Sequence, residues 1–487
     1  MLADTLPARD PDVAAQMLTQ SNQLGLILDS TLAMLSNPAI TALQFAALLP
    51  PDSVPWPWLR GLTIARHPEI GELDDLGADP WLAIQRRLSG LRLLTSGDQP
   101  EIARIHRLVA AHVGHVSNVP ESGTDEHVGS VLHDELIAFL RQRAEQIYRS
   151  QASPQTWELD ALLVALPALM EAALPPHTVS KVANDALFLS EKVMTYRNLS
   201  AAESLVRSCH VVMRRLAESD RANAAWQRDL SVSFNKLGRL AMKMGRYRDA
   251  RKSLCDSYEL MNRLADLEPL VAARQEDLAD SLSTLGQCAI EVEDLAFAKK
   301  CFANCFEIRE ALLEHDPEDA EWIHDLAQAL CWRGYVSELS GDHDAARSDY
   351  CLYHSMLVGL WNSKGWQIEW NRDLAVSFHR QAQLEITIGH LERAEQWLTE
   401  SLFLTQCLSE EDETNAHRQH DLSACQYTLA KVYFDQGRLS EALELVKQSY
   451  FIDEQLVAID PDNATWASCF HSSKRLLEEL SSVDDSS

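Results

Sequence analysis

The residues best able to do chemistry here are histidines, cysteines and carboxylates, and few of them are spaced to work as a set. His106, His112 and His115 stand six and three residues apart, which does not put three imidazoles on one helix face, and no cysteine or acid nearby completes a metal set. His417, His420 and Asp421 do share a helix face and could hold zinc. Asp421, however, belongs to a strictly periodic series described below, which gives it a structural reason to be there. Ten cysteines are scattered without a CxxC pair, and Cys301 and Cys305 lie one helical turn apart. They are expected to be buried free thiols of a reducing compartment. The sequence contains no GxSxG, HExxH or QACxG motif and no GxxxxGK[ST] loop, so the run Leu26-Ile27-Leu28-Asp29 is read as helix and not as the acidic strand of a nucleotide site. The expectation is a chain with no catalytic residue, no metal and no cofactor of its own.

Composition points to protein partners. A formal charge of −29 over 487 residues argues against nucleic-acid binding, whose affinity comes largely from neutralising phosphates. The opening MLADTLPARDPD is polar and does not read as a secretory signal, and no apolar run reaches the roughly 18–20 residues that a membrane span needs. A soluble, cytoplasmic location is expected.

The elements that would have to position any site are repeats. Asp-Leu pairs fall at Asp229-Leu230, Asp277-Leu278, Asp325-Leu326, Asp373-Leu374 and Asp421-Leu422, 48 residues apart each time. Trp226, Trp322, Trp370 and Trp466 keep the same period, with Arg274 and Arg418 in the other two copies; so do Ala250, Ala298, Ala346, Ala394 and Ala442. A small residue nine positions after each Asp (Gly238, Gly286, Gly334, Ala382, Ala430) lets a neighbouring helix come close. Gly245, Gly341, Gly389 and Gly437 supply helix stops. Asn223, Asp319, Asn415 and Asn463 read as N-caps, and Pro269, Pro317 and Pro461 end the preceding helices. Each unit is thus one helix-turn-helix that cannot bury its apolar face alone and must stack into a solenoid. The landmark Asp is expected to be an inter-repeat hydrogen-bond or ion-pair partner and the Trp a wedge between hairpins.

These landmarks resemble the tetratricopeptide repeat (TPR) family in a long-helix form with 48-residue units, over roughly residues 178 to 480. The resemblance implies an all-α, TPR-like superhelical solenoid across 177–480: a degenerate copy with Ala202 in register but Lys181 in place of Asp, five clear copies, and a capping helix. Residues 481–487 read as a disordered acidic tail. The resemblance also implies a concave protein-binding groove lined by the first helices, with Asn235, Arg239, Met242, Gln287, Tyr335, His379, Gln383, Tyr427, Lys431 and Phe434 in it, alongside Ser283 and Cys331. Such a groove would suit an extended protein or peptide segment with some negative charge and an apolar anchor.

Upstream the period changes. Residues 1–36 read as a helical lead-in, with apolar spacing from Leu24 to Leu35, and Asn37-Pro38 opens a helix ended by Pro50-Pro51. Trp56, Trp58, Leu59, Leu62 and Ile64 mark the next helix, and Asp79 caps PWLAIQRRL. Leu91–Ser96, the turn Gly97–Pro100 and Glu101–His106 then read as a β-hairpin before RLVAAHVGHV. A linker over 118–128 and a helical adaptor pair over 129–176 follow. The order over 37–117, with LLPPDSVPWPWL and ARIHRLVAAHV, resembles the winged-helix region of STAND (NB-ARC-like) signalling ATPases, without the ATPase domain. That resemblance implies that His106 senses a nucleotide diphosphate, provided a nucleotide-binding domain is supplied in cis or in trans. It also implies the sensor or regulatory half of a bacterial signalling or defence switch, working with an upstream or trans ATPase. Two other classes stand beside it: a free-standing adaptor that recruits or restrains an effector enzyme such as a protease or nuclease, and a winged-helix transcription regulator touching DNA through Arg86 and Arg87.

Overall fold

A computed structural model describes residues 25–73, 77–117, 128–150, 152–365 and 367–484. The lead-in before residue 25, the linker over 118–127 and the last three tail residues lie outside the described residues. The chain divides into two compact units, residues 1–147 with 154–174, and residues 148–153 with 175–487.

In the first unit, α1 (residues 25–32) is followed by α2 (Asn37–Leu48), β1 (Val54–Pro55), α3 (Trp56–Arg66), α4 (Pro80–Gly90), β2 (Leu94–Ser96), β3 (Ile102–Ile105), α5 (Arg107–Ser117), α6 (Val128–Arg149) and α7 (Thr156–Glu171). Proline in the first turn starts α2, α3 and α4, where its missing N–H costs nothing, and the Asp79 carboxylate accepts the Trp81 amide as a cap. The hairpin begins three residues later than the sequence suggests: α4 runs on to Gly90 and Arg92, at φ 56°, turns the chain before Leu94. Its sheet has a third strand, the two-residue β1, in the order β1-β3-β2. Leu43, Phe45, Trp58, Leu59, Leu88 and Leu94 form the core, each at most 1% exposed. Glu158 is buried among apolar residues and fully answered, by the Arg143 guanidinium at 2.7 and 2.8 Å and the Trp58 indole N–H at 3.1 Å.

The second unit is a stack of helical hairpins: α8 (Pro176–Tyr196) with α9 (Leu199–Ser219), α10 (Ala224–Lys243) with α11 (Tyr247–Leu267), α12 (Ala272–Glu291) with α13 (Leu295–His315), α14 (Ala320–Leu339) with α15 (His343–Lys364), α16 (Ile368–Thr387) with α17 (Leu391–Glu411), and α18 (Ala416–Asp435) with α19 (Leu439–Ile459). α20 (Ala464–Asp484) closes the stack and takes in residues 481–484 of the segment read as tail. First helices from α10 onward start 48 residues apart, as do second helices from α11 onward. Asn223, Asp319, Asn415 and Asn463 accept the first-turn amides of their helices. Val271 and Gln367 hold the same position without a side-chain cap. This is a TPR-like all-α solenoid, and no helix among the described residues is long and apolar enough to cross a membrane.

The small landmark residues explain the close approach within each hairpin. A Cβ at Gly238 would fall 2.5 Å from Leu254, and one at Gly286 or Gly334 would fall 2.8 Å from the ring of Phe302 or Tyr350. In the last two clear repeats Ala382 stands near Leu398 and Ala430 near Val446. The superhelix also meets itself. Tyr196 Oη donates to Asp412 at 2.7 Å, the Leu199 amide donates to Asp460 at 2.7 Å, and the turn at Gly245 lies against Ala464.

Candidate functional site on the inner face of the solenoid

First helices of successive hairpins point their polar faces at one another, and the landmark Asp ties them. Arg228 grips Asp277 through both carboxylate oxygens at 2.5 and 2.8 Å, and Arg372 grips Asp421 at 2.5 and 3.0 Å. His324 Nε2 and Gln328 meet Asp373, and Ser180 donates to Asp229 at 3.0 Å. Arg228, His324 and Arg372 sit one residue before the preceding repeat's landmark position and Ser180 holds its degenerate equivalent, while Gln328 sits three residues after Asp325. Asp325 breaks the pattern because Glu276 occupies the partner position. Glu276 turns instead to the Trp322 indole N–H at 2.6 Å, and burial raises the Asp325 carboxyl above the usual carboxylate range.

Inside this ladder is a cavity of about 550 Å³, walled by α8, α10, α12 and α14. Asn235, Arg239, Ser283 and Gln287, four of the residues expected in the groove, line it. Phe188, Val232 and Trp332 supply apolar surface, and Glu191, Asp229, Asp277, Asp280 and Asp325 supply acid. Arg309 spans the floor, donating to Asp280 at 2.7 Å and to the Asp325 carbonyl at 2.5 Å. Lys236 donates to Glu191, and burial pulls its ammonium below the ordinary lysine value despite that partner.

The other expected groove residues are spread along the solenoid. Tyr335 lies beneath the Arg380 guanidinium, 4.0 Å from its ring centre. His379 is half-buried, and burial, with Arg380 beside it, lowers its pKa to about 4. The Gln383 carbonyl accepts the Thr387 hydroxyl. Cys331 is buried and Lys431 is exposed. Met242 packs on the cluster around Leu254 and Met261, while Tyr427 and Phe434 pack with Ala430, Val446 and Leu476 of α20.

Of a second set, sequence reasoning chose Arg239 alone for the groove and weighed His417 only for zinc. Lys192, Thr195 and Tyr196 of α8, Arg239 and Lys243 of α10, Arg372 of α16, and Asn415, His417 and Arg418 at the head of α18 line a further cavity of about 460 Å³. Lys236 and Lys243 fall two before and five after the landmark Gly238, whereas the expected groove residues Asn235, Arg239 and Met242 fall three before, one after and four after it. Arg228 and Arg372 share one repeat position, which was a usable signal.

The histidines do not assemble a metal site. Asp421 is taken by Arg372, the His417 ring lies edge-on to Trp466, and His420 Nδ1 is buried without a hydrogen-bond partner. His112 pairs with Asp29 at 2.8 Å. His106 is exposed at the end of β3, its Nδ1 accepting the Leu108 amide at 3.2 Å. No group of three or more His, Cys, Asp or Glu among the described residues could hold a metal ion. All ten cysteines are free, Cys301 and Cys305 buried, and Cys351 alone is exposed.

No family model matches the sequence, and no curated protein matches it. Solved structures do. BtubC from P. vanneervenii is 16% identical over 53% of this chain and 92% of its own, with a TM-score of 0.39. A STAND protein with a tetratricopeptide repeat sensor from Pyrococcus horikoshii is 12% identical over 95% of this chain, with a TM-score of 0.42; this chain spans 66% of it. The apo form of RapI is 13% identical over 66% of this chain and 98% of its own, at 0.41. Likeness at this level carries no argument about function. The functional reading rests on the inner face itself.

Proposed function

We propose that this protein is a non-catalytic scaffold that captures a protein or peptide segment on the inner face of its solenoid, and that it serves as the sensor half of a STAND-like signalling or defence switch. The observation that carries the first part is the 550 Å³ cavity walled by four successive hairpins, where Phe188, Val232 and Trp332 offer an apolar anchor beside Arg239, Asn235 and Gln287. Support for the second part is the order of elements in the first unit, helices followed by a hairpin in a three-stranded sheet and then α5, with His106 at the end of β3. That order suits a winged helix, and His106 would contact nucleotide on a domain supplied in cis or in trans. Ligand capture would act as a switch by favouring one packing of that domain over another.

The test is an affinity purification of the full chain from its native cell beside the variant Arg239→Glu/Tyr335→Ala/Lys431→Glu. The expected result is a P-loop ATPase with both forms and a further protein with wild type alone. An effector protease or nuclease in place of the ATPase replaces the switch by an adaptor. A ligand retained equally by the variant removes the inner face from the reading.

A further inference from the structure

We propose that the second cavity of the solenoid, between α8, α10, α16 and α18, binds a small phosphate-bearing molecule, with Lys243, Arg239 and Arg372 forming the cationic wall. The inference concerns a second cavity and a small ligand, although the two cavities share Arg239 and Glu191.

Charge is the first ground. Six cationic side chains, Arg149, Lys192, Arg239, Lys243, Arg372 and Arg418, line about 460 Å³ with Glu191 as the one carboxylate on the wall. The chain as a whole carries −29, so its surface does not predict such a concentration. The second ground is Lys243. Nearby cations have partners: Lys236 holds Glu191, Arg372 holds Asp421, and Arg418 reaches Glu411 and the Leu408 carbonyl. Among the described residues the Lys243 ammonium has neither a hydrogen bond nor an ion pair, although it is half-buried. Burial, then repulsion from Arg239 and Arg372, lowers its pKa to about 8. The same surroundings push His417 well below the ordinary imidazole value, burial first and Lys243 and Arg372 next.

An unpaired, partly desolvated ammonium beside other cations is costly, and an anion against it removes that cost. The Arg239 guanidinium, the N–H groups of Arg372 that Asp421 leaves free and the Lys243 ammonium suit a tetrahedral oxyanion, the guanidinium giving directed hydrogen bonds and the ammonium a point charge. A single carboxylate would leave most of the excess charge in place. A phosphate ester or polyphosphate offsets more of it in the same volume. The site draws on helices far apart in the chain and exists because the superhelix returns on itself at Tyr196–Asp412 and Leu199–Asp460.

The test is isothermal titration of the full chain with sodium pyrophosphate at fixed ionic strength, with sodium succinate as the carboxylate arm. Wild type should show saturable one-to-one binding to pyrophosphate and none to succinate. Lys243→Met and Arg239→Gln should each weaken it by about tenfold or more, the loss of one charge-assisted contact, and Lys252→Met on the exposed surface of α11 should leave it unchanged. Absence of saturable binding in wild type, equal binding of succinate, or unchanged affinity in both cavity variants each overturns the proposal. Thermal melts of the two variants without ligand confirm that a loss of binding is not a loss of fold.

Discussion

Glu293 stands where four of the five clear repeats have glycine, and its backbone is held at φ 60°, alongside 70–86° for Gly245, Gly341, Gly389 and Gly437. A side chain in that left-handed conformation costs about 1–2 kcal/mol. Glu293→Gly is therefore expected to stabilise the solenoid by about 1 kcal/mol, the strain relieved less the entropy glycine gains in the unfolded chain. A urea midpoint that stays put or falls would show that the turn is not strained. Glu158 gives the opposite kind of residue effect. Its carboxylate is 3% exposed and depends on Arg143. Arg143→Met should destabilise the first unit by about 3 kcal/mol, because a buried charge is left with the Trp58 N–H alone. Arg143→Met/Glu158→Leu should recover much of that loss, and a double variant as weak as the single would mean that packing, and not charge, carries the contact.

Within an element pair, the landmark glycine and its partner set the distance between the two helices of a hairpin. Gly286→Ala would place a methyl carbon 2.8 Å from the Phe302 ring, and overpacking of this kind costs about 1–3 kcal/mol. The fourth clear repeat pairs Ala382 with Leu398, whereas in the first Leu254 leaves no room beside Gly238. Gly286→Ala/Phe302→Leu is accordingly expected to be more stable than Gly286→Ala alone, read as a coupling in a double-mutant cycle. Additive losses would show that the two side chains do not share one space. The caps behave in the same modular way. Val271 sits at φ −89° and ψ 105°, near the −76° and 96° of Asn223, so Val271→Asn should add about 1 kcal/mol by capping α12. Thermal unfolding at the same pH checks it.

For the whole solenoid, the consequence of enclosing so many histidines is a loss of stability in acid. His379, lowered to about 4, and His417, pushed well below the ordinary imidazole value, stay neutral in the folded chain while the unfolded chain protonates near 6.5. Between those values the unfolded state binds more protons, so stability falls as pH drops from about 6.5 towards 4. His210, His354 and His420 are shifted the same way. His324 opposes them: Asp373 raises its pKa against burial, so its contribution is complete below 6.5 and is lost as pH rises through the folded value. The raised carboxyls of Asp229, Asp325 and Asp453 also favour the folded state towards the acid end. The lowered histidines, five against one, protonate in the unfolded chain near 6.5, above the ordinary carboxyl range, so the urea midpoint should fall between pH 7 and pH 5. His379→Gln should flatten that fall, and an identical pH profile in the variant would remove His379 from the account.

The 48-residue period of Asp, Trp, small residue and Gly determined the hairpins, because caps, stops and close approach are local or near-neighbour requirements that residue type states directly. The inter-repeat role of the Asp was legible for the same reason. The two-residue β1 was not, since so short a strand has no alternation to read. Nor was the second cavity, because Lys243, Arg372 and His417 belong to different repeats and meet only when the stack has turned far enough to touch its own beginning. That turn is the sum of small rotations between hairpins, each set by how side chains such as Phe302, Tyr350 and Leu398 pack, and no single repeat encodes it.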